Sequence, residues 1–133
     1  MKKTNYITLY HYTGINLKHN EKLKPDYFGN NSYTQNDITA CNIKRLFFYD
    51  IPKPEALLCG SRFLYTCRIP EAKIYNITID EAGFLKRFNS LYEAVNAIKK
   101  DYSGVLYTIG GRNIINLFYA IKPDKKIEAL YVK

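Results

Sequence analysis

What most limits the folds open to this chain is the spacing of its apolar residues. They come in short runs rich in β-branched and aromatic side chains, broken by turn residues, and one stretch alone repeats with a clear helical period. Residues 62–69 are the plainest strand. Phe63, Tyr65, Cys67 and Ile69 recur at every second position, and an extended chain turns alternate side chains to one face. Residues 7–12 read as another strand, ending at Thr13-Gly14. Leu46-Phe47-Phe48-Tyr49 reads as a short buried strand, residues 74–79 as a further one, and residues 104–108 and 114–121 as two strands about a Gly110-Gly111 turn. The helix begins at Ser90, which with Glu93 makes an S-x-x-E capping box. Leu91, Ala94, Val95 and Ile98 then form one apolar stripe, and Lys99 and Lys100 fall where a cation favours the helix dipole. Shorter helices are expected at 16–24 (stopped by Pro25), from Asp37 to about Lys44, and through Leu57-Leu58 to Gly60. Many short strands with few helices between them indicate an α+β fold on a mixed or mostly antiparallel sheet.

The 133 residues suit one domain, and 47% of them are hydrophobic, enough for a real core. The 13 tyrosines suit half-buried strands and clefts wet at one end. Net charge is +8, but no basic run exceeds two residues. Scattered cations of this kind solubilise a surface, or serve an anionic ligand such as a dinucleotide. Cys41, Cys59 and Cys67 form no C-x-x-C pair and, with two histidines, fall short of a zinc site. Free thiols, and an N-terminus without an apolar stretch, point to a reducing cytoplasm. No apolar segment approaches the roughly 20 residues of a membrane helix.

His11 is the candidate functional residue. It lies in an apolar strand that stops at once at Thr13-Gly14, and strand ends face clefts. The later loop Tyr27-Phe28-Gly29-Asn30-Asn31-Ser32-Tyr33-Thr34 mixes turn residues with three aromatics, more than a solvated loop needs. Other arrangements are weaker. There is no G-x-S-x-G elbow, nothing joins a cysteine to His11, Gly110-Gly111-Arg112 is explained by a hairpin turn, and His19 lies in a polar stretch.

Leu9-Tyr10-His11-Tyr12-Thr13-Gly14 resembles the first-strand YH-x-T element of the ADP-ribosyltransferase superfamily. The likeness is to a small bacterial and phage branch that includes rifampin ADP-ribosyltransferases and related toxins. Gly29-Asn30-Asn31-Ser32-Tyr33 is similar to the branch's SNY-like loop. Leu46-Phe47-Phe48-Tyr49 resembles its aromatic second motif, residues 63–77 a following strand pair, and Tyr102-Ser103-Gly104-Val105-Leu106-Tyr107 with the strand after it the closing hairpin. The resemblance spans most of the chain in the right order. It implies a split, twisted, mostly antiparallel sheet with a few short helices, holding NAD and cleaving its nicotinamide–ribose bond. It also implies that His11 bonds a ribose hydroxyl, that the backbone at Thr13 and Gly14 approaches the ligand, and that Phe28, Gly29, Asn31, Ser32 and Tyr33 contact NAD. Tyr49 would stack on nicotinamide. Phe48 is the alternative match, and strand alternation allows only one of the two. The departure is the third motif, where the family carries an acid on a late strand and this chain has Asn116. Asp50, Asp101, Asp124 and Glu128 are other acids nearby in sequence, the last two expected to be exposed.

The implied function is mono-ADP-ribosylation of a protein or other macromolecular target, with NAD as substrate and no membrane partner. Lys/Asn/Ile-rich composition suits an AT-rich bacterium or its phage. The missing acid motivates an alternative, a catalytically inactive nucleotide- or partner-binding module on the same fold. The charge and the tyrosines motivate a second, a basic nucleic-acid-binding protein.

Overall fold

The alternation at 63–69 becomes the strand β3 (Phe63–Pro70), with Phe63, Tyr65, Cys67 and Ile69 all buried. The structure is a computed structural model and describes residues 4–27, 41–53 and 60–128. β1 (Tyr6–Thr13) runs antiparallel to β3 along its whole length, from Tyr6 opposite Pro70 to Thr13 opposite Phe63. β2 (Leu46–Tyr49) flanks the other side of β1 but shares one register pair with it, Tyr10 with Tyr49. All four of its residues pair with β6 (Arg112–Leu117). β5 (Gly104–Ile109) joins β6 through Gly110 and Gly111, at φ +57° and +76°. A two-residue turn of that hand needs positive φ at both positions, which glycine adopts without strain. β4 (Ile74–Asn76) adds in parallel to β5, and β7 (Lys125–Glu128) adds antiparallel to β3. The result is an α+β fold on a seven-stranded, mostly antiparallel sheet in the order β4-β5-β6-β2-β1-β3-β7.

The two faces of the sheet carry separate cores. Leu9, Leu46, Phe48, Tyr65, Cys67, Ile115 and Leu117 face one way, and the segment 14–27 lies over them with Leu17 and Leu23. Tyr75, Val105 and Tyr107 face the other way, under α1 (Phe84–Arg87) and α2 (Leu91–Ile98). Ser90 caps α2 as its sequence implied, its Oγ accepting from Glu93 N–H at 3.2 Å, while Ala94, Val95 and Ile98 are buried.

Segment 14–27 departs from the helix expected at 16–24. It is built of a turn at Lys18–Glu21 and an extended piece in which Leu23 bridges Ile121 by reciprocal backbone hydrogen bonds of 2.8 and 3.0 Å. Leu17 and Leu23 both reach the core, and at about 3.6 residues per turn a helix would point them to different sides. β4 stops at Asn76 because the Asn76 carboxamide oxygen accepts from the N–H groups of Thr78 and Ile79, turning the chain. β6 stops at Leu117, after which the chain bends to reach Leu23. Residues 41–44 are irregular. The remainder of the helix expected from Asp37, and the one through Leu57-Leu58, lie outside the described residues. Among the described residues no helix is long and apolar enough to cross a membrane.

Candidate functional site

His11 occupies the place where β1 and β2 part. Its cross-strand partner on β3 is Tyr65, so its side chain shares a face with Leu9 and Phe48 rather than with Tyr10 and Tyr12. Beside the single Tyr10–Tyr49 pair, the Phe47 carbonyl meets the imidazole instead of the β1 backbone, with Nδ1 at 2.6 Å. A carbonyl oxygen can only accept, so Nδ1 carries the proton and the neutral ring leaves Nε2 as an acceptor. Burial holds the imidazole pKa below its ordinary value. The bond to Phe47 and the charge of Asp26 act in the opposite direction without reversing the shift. The Phe48 ring packs against the imidazole at 5.4 Å.

A cavity of about 720 Å³ opens at this seam. Its lining comes from both faces of the sheet: His11 and Phe48 from one, Tyr10, Tyr12, Phe47 and Tyr49 from the other. Parting strands explain this, since a gap in the ladder exposes both sides of the backbone to one space. Tyr12 and Tyr49 meet edge to face at 6.2 Å, and the Tyr12 hydroxyl accepts from Lys53 N–H at 2.7 Å. Tyr27 meets the Phe47 ring at 5.2 Å, with the Arg45 guanidinium 5.0 Å from that ring. Segment 14–27 closes the remaining side with Glu21, Lys22, Lys24 and Asp26.

The expected site residues divide into three groups. His11, Thr13, Phe48 and Tyr49 all line the cavity, so both candidates for the aromatic position reach it, from opposite faces. Phe48 touches the imidazole, whereas Tyr49 pairs with Tyr12. Thr13 is turned on its own loop, its Oγ1 accepting from Ile15 N–H at 3.2 Å. Gly14 is exposed, and a Cβ there would meet only Gly60 O at an ordinary 3.7 Å. Asn116 stands apart from the cavity and from His11. It is fully buried on the opposite face, where its Oδ1 accepts from Arg45 Nη1 at 2.8 Å and its Nδ2 has no partner among the described residues. Phe28, Gly29, Asn31, Ser32 and Tyr33 lie outside the described residues.

Of the acids considered from sequence, Asp50 accepts from Asn113 Nδ2 at 2.9 Å, and Asp124 accepts from Arg68 N–H at 2.7 Å. Asp101 and Glu128 are exposed. The carboxylates that do reach the cavity, Asp26 and Glu21, are ones the sequence did not single out, because they precede the aromatic loop rather than follow a late strand. Arg45 was equally hidden among the scattered cations. The signal for it is its position at the head of an apolar strand, where a charge is buried only with partners. Those partners include Ile43 O at 3.1 Å and Asn116. Cys41 and Cys67 are free and buried, and burial pushes the Cys67 thiol up to about 12, far from a reactive thiolate. Among the described residues no group of three or more His, Cys, Asp or Glu side chains is placed to hold a metal ion.

Set against known proteins, the chain matches no family model, no curated protein and no solved structure.

Proposed function

We propose that the cavity at the β1–β2 seam binds a nucleotide, with NAD as the ligand, and that the chain is an ADP-ribosyltransferase-like protein acting on a protein or other macromolecule. One observation carries this reading: a neutral imidazole, bonded through Nδ1 to the Phe47 carbonyl so that Nε2 is left as an acceptor, in the lining of an aromatic-walled cavity. An acceptor of that kind suits a sugar hydroxyl and is a poor neighbour for an anion. The cavity falls within the roughly 300–1,000 Å³ range of small-ligand sites, and aromatic walls with a few fixed polar groups are their usual make-up.

In this reading His11 orients the ribose, and the rings of Tyr12, Phe48 and Tyr49 offer apolar faces to nicotinamide. NAD supplies a glycosidic bond whose cleavage builds positive charge on the sugar. Asp26, on the cavity wall and electrostatically felt by His11, gives this chain a carboxylate that Asn116 does not offer. Calorimetric titration with NAD, paired with a nicotinamide-release assay, tests the proposal. Wild type binds and His11→Ala, still folded, loses binding. Equal affinity in the two proteins removes the proposal.

A second reading keeps the nucleotide and drops the chemistry. It is favoured by the engagement of Asn116 with Arg45, which leaves no acid on the late strand β6. Binding without nicotinamide release selects it.

A further inference from the structure

Two of the lysines that look scattered along the chain, Lys22 and Lys24, line the cavity, and strand register brings Lys122 beside them. Leu23 and Ile121, nearly a hundred positions apart, exchange backbone hydrogen bonds in an antiparallel bridge. Both side chains turn into the core. Their neighbours Lys22, Lys24 and Lys122 therefore turn outward, and the register sets Lys22 opposite Lys122. Lys22 and Lys24 line the cavity. Like charges directly opposite on paired strands repel, and among the described residues no carboxylate pairs with these ammonium groups. Among the described residues Lys22 and Lys24 have no ion-pair or hydrogen-bond partner for their ammonium groups. Lys122 donates to a neutral carboxamide, Asn20 Oδ1, at 2.8 Å. Of the two cavity carboxylates, Glu21 is turned back to accept from Lys18 N–H at 2.6 Å, and Asp26 acts on His11.

We propose that Lys22, Lys24 and Lys122 form a phosphate subsite at the outer rim of the cavity, built for the diphosphate of a nucleotide. Around His11 the imidazole acceptor and the Asp26 carboxylate disfavour an anion, and the Arg45 guanidinium on that wall is already engaged by Ile43 O and Asn116 Oδ1. The rim attracts an anion. The cavity is thereby polarised, with sugar and ring inward and phosphates outward. The subsite rests on the nucleotide reading above but is tested separately.

The test is titration of the full chain with pyrophosphate, ADP, adenosine and a single-stranded oligonucleotide. The variants are Lys22→Gln/Lys24→Gln/Lys122→Gln and a control of equal charge, Lys86→Gln/Lys99→Gln/Lys100→Gln. Loss of charge-assisted hydrogen bonds is expected to weaken pyrophosphate and ADP by about tenfold or more in the first variant. Adenosine should be unchanged, and the control should match wild type. Equal losses in both variants would mean general charge rather than a site, and would overturn the proposal. So would oligonucleotide binding without ADP binding, or a wild type blind to pyrophosphate. NAD affinity lost in His11→Ala but kept in the triple lysine variant overturns the subsite alone. Pyrophosphate binding through these lysines, with no NAD binding, leaves the subsite standing and removes the NAD reading.

Discussion

The two faces of the sheet are sealed in different ways. Over β4, β5 and β6 lie helices, and a helix satisfies its own backbone, so it can lay an apolar stripe on a core without further partners. Val95, Ile98 and Val105 are wholly inaccessible there. Over β1 and β3 lies the irregular segment 14–27, whose backbone must find partners one at a time. Leu17 N–H donates to the Tyr65 hydroxyl, that hydroxyl donates to Ile15 O, both at 2.8 Å, and Leu23 bridges Ile121. Such a cover leaves polar atoms and open space near it, and the cavity forms at its border with β2. The tightest packing and the cavity are thereby lodged in different halves of a small protein.

The largest expected effect lies in the helix-covered half. Ile98→Ala removes a fully buried side chain and should cost about 2–5 kcal/mol of stability, read from denaturant midpoints, without altering NAD affinity in the folded fraction. An equal loss of affinity would break the division between the halves. Next comes Gly104→Ala. A Cβ at Gly104 would sit 2.1 Å from the Asn116 backbone oxygen, so β5 and β6 must separate, at a cost of about 1–3 kcal/mol or more. A melting temperature equal to wild type would show that the hairpin yields easily. Ser90→Ala removes the cap of α2 and should cost about 1 kcal/mol, again without effect on the cavity.

The smallest effect on stability belongs to the cavity-bearing half. His11 in the folded chain holds its proton less tightly than the ordinary imidazole at 6.5, chiefly through burial. Between the lowered folded value and 6.5 the unfolded chain binds more protons, so stability falls as pH falls through that window and is fully present above it. Protonation also removes the Nε2 acceptor, so ligand affinity should fall in the same direction. Urea titrations from neutral to mildly acidic pH would show the stability trend in wild type, and calorimetric titration with NAD over the same range the affinity trend. His11→Gln should flatten the stability trend, and an unchanged slope would mean that another group titrates.

Strands were legible where the pattern was local. The alternation Phe63-Tyr65-Cys67-Ile69 and the N-cap at Ser90, whose Oγ accepts from Glu93 N–H, both appear in the structure. His11 likewise lies two residues before the end of its strand, beside a cavity. What escaped was decided by contacts distant in sequence. Nothing near Leu23 indicates that Ile121 holds it extended, and the polar residues around it are as compatible with a helix. Nothing near Lys22 or Asp26 indicates that they border the same space as His11. The strand β7 has four exposed residues and no apolar alternation. It exists because the edge of β3 offers unpaired backbone groups.

The chain by itself determined the parity of its strands, since a period of two is a property of extended backbone, and it determined that one histidine would share a face with core residues. Tertiary structure alone decided that β1 and β2 would meet at a single pair, because strand order follows from how distant apolar faces are buried together. It decided as well which tautomer His11 adopts. A ring nitrogen keeps its proton where an acceptor waits, and the waiting acceptor is a carbonyl thirty-six residues away.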